Sequence, residues 1–73
     1  MQYEIICEIF NQCANNQMRD IFFEEASVSD PEAYVRQREP AAALETVCAE
    51  NGVVTVDTDC AGLRKRYTFT PID

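Results

Sequence analysis

From Tyr3 to Phe10 the chain alternates in a way that sorts residues onto two faces. Tyr3, Ile5, Cys7 and Ile9 take one side, and Glu4, Ile6, Glu8 and Phe10 the other. A period of two predicts a strand. Asn11 to Met18 is rich in amides and carries no such period, which predicts a loop. Ile21-Phe22-Phe23 then opens a second strand that reaches Val28. Ser29-Asp30-Pro31-Glu32 reads as a helix start: Asp30 can cap, Pro31 suits the first helical position, and Glu32 lies at the positive end of the helix dipole. The helical segment is expected from Pro31 to Glu50, kinked or broken at Pro40, where the ring removes a donor and clashes with the preceding turn. In its second half Ala41, Leu44, Val47 and Cys48 share one helical face, and Asn51-Gly52 supplies the stop.

Val53 to Asp59 and Leu63 to Thr70 predict a hairpin whose register follows from side-chain chemistry. With Ala61-Gly62 as the turn, Val54 faces Phe69, Val56 faces Tyr67, and Cys60 faces Leu63. On the opposite side Thr55 faces Thr68, Asp57 faces Arg66, and Asp59 faces Arg64. Apolar meets apolar and acid meets base, whereas a slip of one residue sets Val56 against Arg66. The order β-β-α-β-β implies an α+β two-layer sandwich, with a four-stranded, mainly antiparallel sheet under one helical layer. The uncovered sheet face must then meet water or a partner.

Composition narrows the function classes. The chain has 73 residues, enough for a single small domain spanning 1–73, and its 47% hydrophobic and 26% charged content fits a globular fold. Thirteen acids against six bases give a net charge of -7. That balance argues against nucleic acid, whose affinity comes largely from cationic side chains on phosphates, and against an anionic membrane surface. No apolar run is long enough to cross a bilayer, and Met1-Gln2-Tyr3-Glu4 has no basic leader, so a cytoplasmic location with reduced thiols is expected, while the even cysteine count keeps a secreted domain with its signal removed as the alternative. No cofactor is implied.

Cys7, Cys13, Cys48 and Cys60 are the most chemical residues in a chain without histidine. No two form a CxxC knuckle, so a four-cysteine metal site is not expected. Cys7 alternates with Ile5 and Ile9, and Cys48 lies near Leu44, so both read as small core hydrophobes. Cys13 and Cys60 fall at or near turns and are the reactive-thiol candidates. One continuous helix of about 20 residues would be about 30 Å long, matching a strand of about eight residues at about 26 Å. That match favours a single kinked helix, which sets Cys13 and Cys60 at opposite ends and precludes a disulfide between them; a reversal at Pro40 would instead bring both to one end. A catalytic thiol needs a base, and neither has a histidine; Arg19 and Arg64 are the nearest bases in sequence.

Other motifs have bland explanations. Asp57-Thr58-Asp59-Cys60-Ala61-Gly62 resembles the opening of a calcium loop but fails at Ala61 and again at Thr68. Arg64-Lys65-Arg66 alternates across a strand and so cannot be one patch. Glu24 and Glu25 point apart and cannot act as a paired acid and base. What remains is apolar excess. Ile6, Phe10 and one of the two phenylalanines, taken as Phe22, form the candidate interaction face. The expected function is a small acidic, non-enzymatic protein–protein interaction or regulatory module, working through the open sheet face or a sheet edge on a protein partner or as a homo-oligomer. The alternative is a cysteine-based redox or metal-binding protein built on Cys13 or Cys60.

Overall fold

The computed structural model describes residues 2–13 and 16–72, with backbone only over 11–13 and 16–19. Its elements are β1 (Gln2–Cys13), β2 (Asn16–Ser27), α1 (Pro31–Arg38), β3 (Ala43–Cys48), β4 (Val54–Cys60) and β5 (Leu63–Pro71). The expected four-stranded sheet under a helical layer is corrected by this arrangement. The sheet has five strands in the order β2-β1-β5-β4-β3, every neighbouring pair antiparallel, and it carries one helix of 8 residues.

The helix starts as its sequence dictates. Asp30 is the N-cap, its side chain accepting from the Glu32 N–H at 3.1 Å, and Pro31 follows it. It does not continue to Glu50. Proline at 40 disfavours α-helical dihedrals at the residue before it, and Glu39 leaves the helix at φ -125°, ψ 65°, its N–H still donating to the Val35 carbonyl. A turn closed by Ala42 N–H on the Glu39 carbonyl at 3.2 Å then delivers β3. Residues 43–48 extend although helix formers precede them, and this gives the outer backbone groups of β4 partners. β3 satisfies them from Ala43↔Asp59 to Cys48↔Val54. Tertiary pairing overrides local propensity here.

The loop expected over 11–18 is also corrected. β1 and β2 pair without interruption from Gln2↔Ser27 to Cys13↔Asn16, leaving only positions 14 and 15 between them. The ladder is made by backbone groups, so amide side chains do not break it. This hairpin runs beyond β5, whose pairing with β1 ends at Phe10↔Arg64.

The β4–β5 register is the predicted one, from Val54↔Phe69 to Cys60↔Leu63. Its two-residue turn has positive φ at both central positions, 52° at Ala61 and 88° at Gly62, as a primed turn matched to strand twist requires. Asn51-Gly52, expected to stop a helix, instead closes the β3–β4 hairpin. Gly52 sits at φ 88°, and Val53 N–H donates to Asn51 Oδ1 at 3.2 Å.

One sheet face carries Tyr3, Ile5, Val56, Tyr67 and Phe69, all buried, and α1 seats the fully buried Val35 on it beside Val28. Phe69 is the hub, meeting Tyr3 and Tyr34 edge to face at centroid distances of 5.8 and 5.7 Å. Each fully buried large side chain contributes about 1.5–3 kcal/mol. The cover is partial. Eight helical residues span about 12 Å, whereas five strands spaced about 4.8 Å apart are about 19 Å wide between the outer strands. α1 packs over β3 and β4, and the far strand, β2, extends beyond it.

Candidate functional site

Register sorts the open face into rows. Phe23, Ile6, Thr68, Thr55 and Val47 stand side by side across the sheet, followed by Ile21, Glu8, Arg66, Asp57 and Glu45. The next row holds Phe10, Arg64, Asp59 and Ala43. Ile6 and Phe10 therefore lie on the open face as expected, both half-buried. Phe22 does not join them. It pairs with Cys7 on the helix-bearing face, and Phe23 takes the place beside Ile6.

The two halves of the open face differ. Over β4 and β5 it is charged: Arg66 pairs with Asp57 at 2.8 Å and its guanidinium lies 5.8 Å from the Phe10 ring centroid. Asp59 faces Arg64 in register but caps the turn instead, accepting from Gly62 N–H at 3.2 Å. A groove of about 530 Å³ runs here, lined by Phe10, Glu45, Asp57, Asp59, Arg64 and Arg66. Its acids stand on β3 and β4 and its bases opposite them on β5, so it selects neither sign of ligand. Lys65, the middle of the basic run, points to the other face as the alternation predicts.

Over β2 and β1 apolar residues stand among Glu4, Glu8 and Glu25, and the most exposed apolar ones belong to β2. Ile21, Phe22 and Phe23 are 49%, 58% and 70% exposed, consecutive residues of the strand at the sheet's edge. Their backbone geometry follows from the ladder. Ile72 N–H donates to the Gln2 carbonyl, so even-numbered residues of β1 address β5 and odd-numbered ones address β2. Cys7 and Ile5 thus bond toward their partners Phe22 and Glu24. Ile21, Phe23 and Glu25 turn their N–H and C=O groups away from the sheet, as alternation demands. Phe22 is exposed because α1 touches β2 only at Glu24, through Tyr34 and Arg38, and Ile21 and Phe23 because nothing among the described residues covers them on the open face.

The helix-bearing face holds a polar cluster that the sequence reading missed. Glu39 Oε1 accepts from Lys65 Nζ at 2.7 Å and from the Tyr67 hydroxyl at 3.0 Å. The Lys65 hydrogen bond, with help from Tyr67, holds the Glu39 carboxyl below its ordinary value. Tyr67 is pushed up, first by burial and then by the neighbouring Cys7 and Glu39. Glu24, held below its ordinary value chiefly by the Tyr34 hydroxyl, also pairs with Arg38 at 2.9 Å. Arg38 in turn lies 4.8 Å over the Tyr34 ring. These groups satisfy one another and lock the end of α1 to β5 and β2. They present no free base to a substrate.

The cysteines divide differently from expectation. Cys7 packs against the core, and burial pushes its thiol up, which makes it a poor nucleophile. Cys48 is exposed on β3, not in the core, because its segment is a strand. Cys60 is half-buried at the β4–β5 turn, and the side chain of Cys13 lies outside the described residues. The placement of these two at opposite ends is corrected: register puts the β1–β2 tip and the β4–β5 turn at the same end of the sheet. Cys7, Cys48 and Cys60 are free, and no group of three or more metal-ligating residues occurs among the described residues. No helix among them is long and apolar enough to cross a membrane.

No family model matches the chain, and neither a curated protein nor a solved structure is similar to it.

Proposed function

We propose that the chain is a non-enzymatic interaction module that binds another protein through the β2 side of its sheet. One observation carries this reading: Ile21, Phe22 and Phe23 are exposed together on an edge strand whose outward backbone groups are ready to pair. An extended segment added along β2 gains main-chain hydrogen bonds from Ile21 and Phe23 and apolar contacts on both faces. Contiguous apolar surface of this kind marks association sites. The acidic balance of the chain argues against nucleic acid as that partner.

The test places a photoreactive benzoylphenylalanine at position 23 in the protein's own cells, with position 37 on the exposed side of α1 as control. A protein adduct specific to position 23 is expected. The captured protein is then purified and titrated against the wild type and Phe23→Lys. The variant should bind at least tenfold more weakly, a loss of about 1.4 kcal/mol. No adduct from position 23, or equal affinity of the two proteins, sinks the reading.

A further inference from the structure

We infer that the partner of β2 is β2 of a second copy, paired antiparallel about a two-fold axis at Phe22 so that two five-stranded sheets become one of ten strands. This rests on the interaction reading of β2 and names its partner. The exposed residues alternate faces, with Phe22 on the helix side and Ile21 and Phe23 on the open side. A strand that covers all three needs apolar residues on both of its own faces at the same spacing, and β2 has them. With the axis at Phe22, Phe22 meets Phe22 of the second copy, and each Ile21 meets a Phe23. All six large apolar residues are then covered by one another.

The alternatives are worse. An axis at Ile21 sets Phe22 against Asp20, and an axis at Phe23 sets Phe22 against Glu24. An axis between residues would pair opposite faces. The backbone agrees with the axis at Phe22. Ile21 and Phe23 are the residues whose N–H and C=O groups point outward, and this register puts them directly opposite, where antiparallel strands exchange both hydrogen bonds.

Each copy carries a net charge of -7, so charge has to be met locally along the seam. Position 19, an arginine, stands opposite Glu25 of the second copy, and symmetry makes this pair twice. Asp20 comes opposite Glu24, but Glu24 is already held by Arg38 at 2.9 Å and by the Tyr34 hydroxyl, so a cation accompanies it. Edge strands are commonly blunted by proline, lysine or other charged residues, or a bulge, and β2 carries its charges only on either side of residues 21–23. Between Arg19 and Glu25 β2 has neither proline nor lysine, and its ladder with β1 is unbroken.

Sedimentation equilibrium of the full chain at micromolar to submillimolar concentration should give twice the 8.3 kDa chain mass. Phe22→Lys sets two ammonium groups across the axis and should sediment as a monomer with an unchanged far-ultraviolet spectrum. Under a mild oxidant Phe22→Cys should form a covalent dimer through position 22 of both copies, mapped by peptide mass. Phe23→Cys should not link to itself but should link to Ile21→Cys when the two are mixed. A wild-type monomer overturns the inference, as does a dimer untouched by Phe22→Lys. Self-linking of Phe23→Cys in preference to Phe22→Cys overturns the register. A monomeric wild type that still cross-links to a different protein from position 23 overturns self-pairing alone and leaves the interaction reading standing.

Discussion

Glu39 shows how one side chain can hold two elements together. It caps the end of α1, yet its carboxylate is 15% exposed and accepts from Lys65 and Tyr67, residues 26 and 28 positions further along the chain. Its folded-state pKa lies below the ordinary 4.5 because Lys65 and Tyr67 favour the charged form. Folding therefore releases a proton from this group. Its contribution is fully present above the unfolded value and is lost as pH falls through the folded one. Glu39→Gln should cost about 1–3 kcal/mol near neutral pH, since it weakens a charge-assisted bond and leaves a half-buried lysine short of a partner. The gap in chemical-denaturation stability between wild type and variant should shrink as pH drops below 4.5. A gap that stays constant from neutral to acid pH would show that the carboxylate charge is not what matters. In the sequence Glu39 reads as one more polar helix residue, because its partners are defined only by folding.

At the level of elements the contrast is between the β4–β5 hairpin and β3. The hairpin was legible to the residue. Its pairs lie within a few positions of one turn, and each wrong register opposes apolar to charged side chains. The turn itself departs from preference, since Ala61 adopts φ 52°, a left-handed conformation that costs an alanine about 1 kcal/mol. Asparagine tolerates that region and is favoured before glycine in such turns. Ala61→Asn should therefore raise stability by about 0.5–1 kcal/mol. A thermal midpoint several degrees higher is the expected readout, and an unchanged or lower one counts against a strained turn. β3 was not legible. Residues 41–44 favour a helix locally, while Thr46 and Val47 favour a strand, and both periodicities leave Leu44 facing inward. Pairing with β4, from Ala43↔Asp59 to Cys48↔Val54, decided for the strand.

Across the whole molecule, a chain of 73 residues with net charge -7 folds around a core that has seven buried apolar residues among the described residues, so electrostatic self-repulsion is large relative to a small core. Raising ionic strength from about 0.01 to about 0.15 M shortens the Debye length from about 30 to about 8 Å and should raise the thermal midpoint. The described ion pairs on the surface, such as Arg36 with Glu32 at 3.5 Å, are too exposed to reverse the sign. A midpoint that falls with salt would show that paired charges outweigh net repulsion. The same small size explains the candidate site: one short helix cannot roof five strands, so β2 keeps its phenylalanines exposed on both faces. The sequence by itself determined what depends on neighbours along the chain: alternation in β1, the cap at Asp30, and the pairing of β4 with β5. Only the tertiary structure decided that residues 43–48 extend, that Glu39 meets Lys65 and Tyr67, and that β2 lies at an edge with Phe23 beside Ile6. Those outcomes depend on which strand completes which ladder, a choice among distant segments that no local pattern encodes.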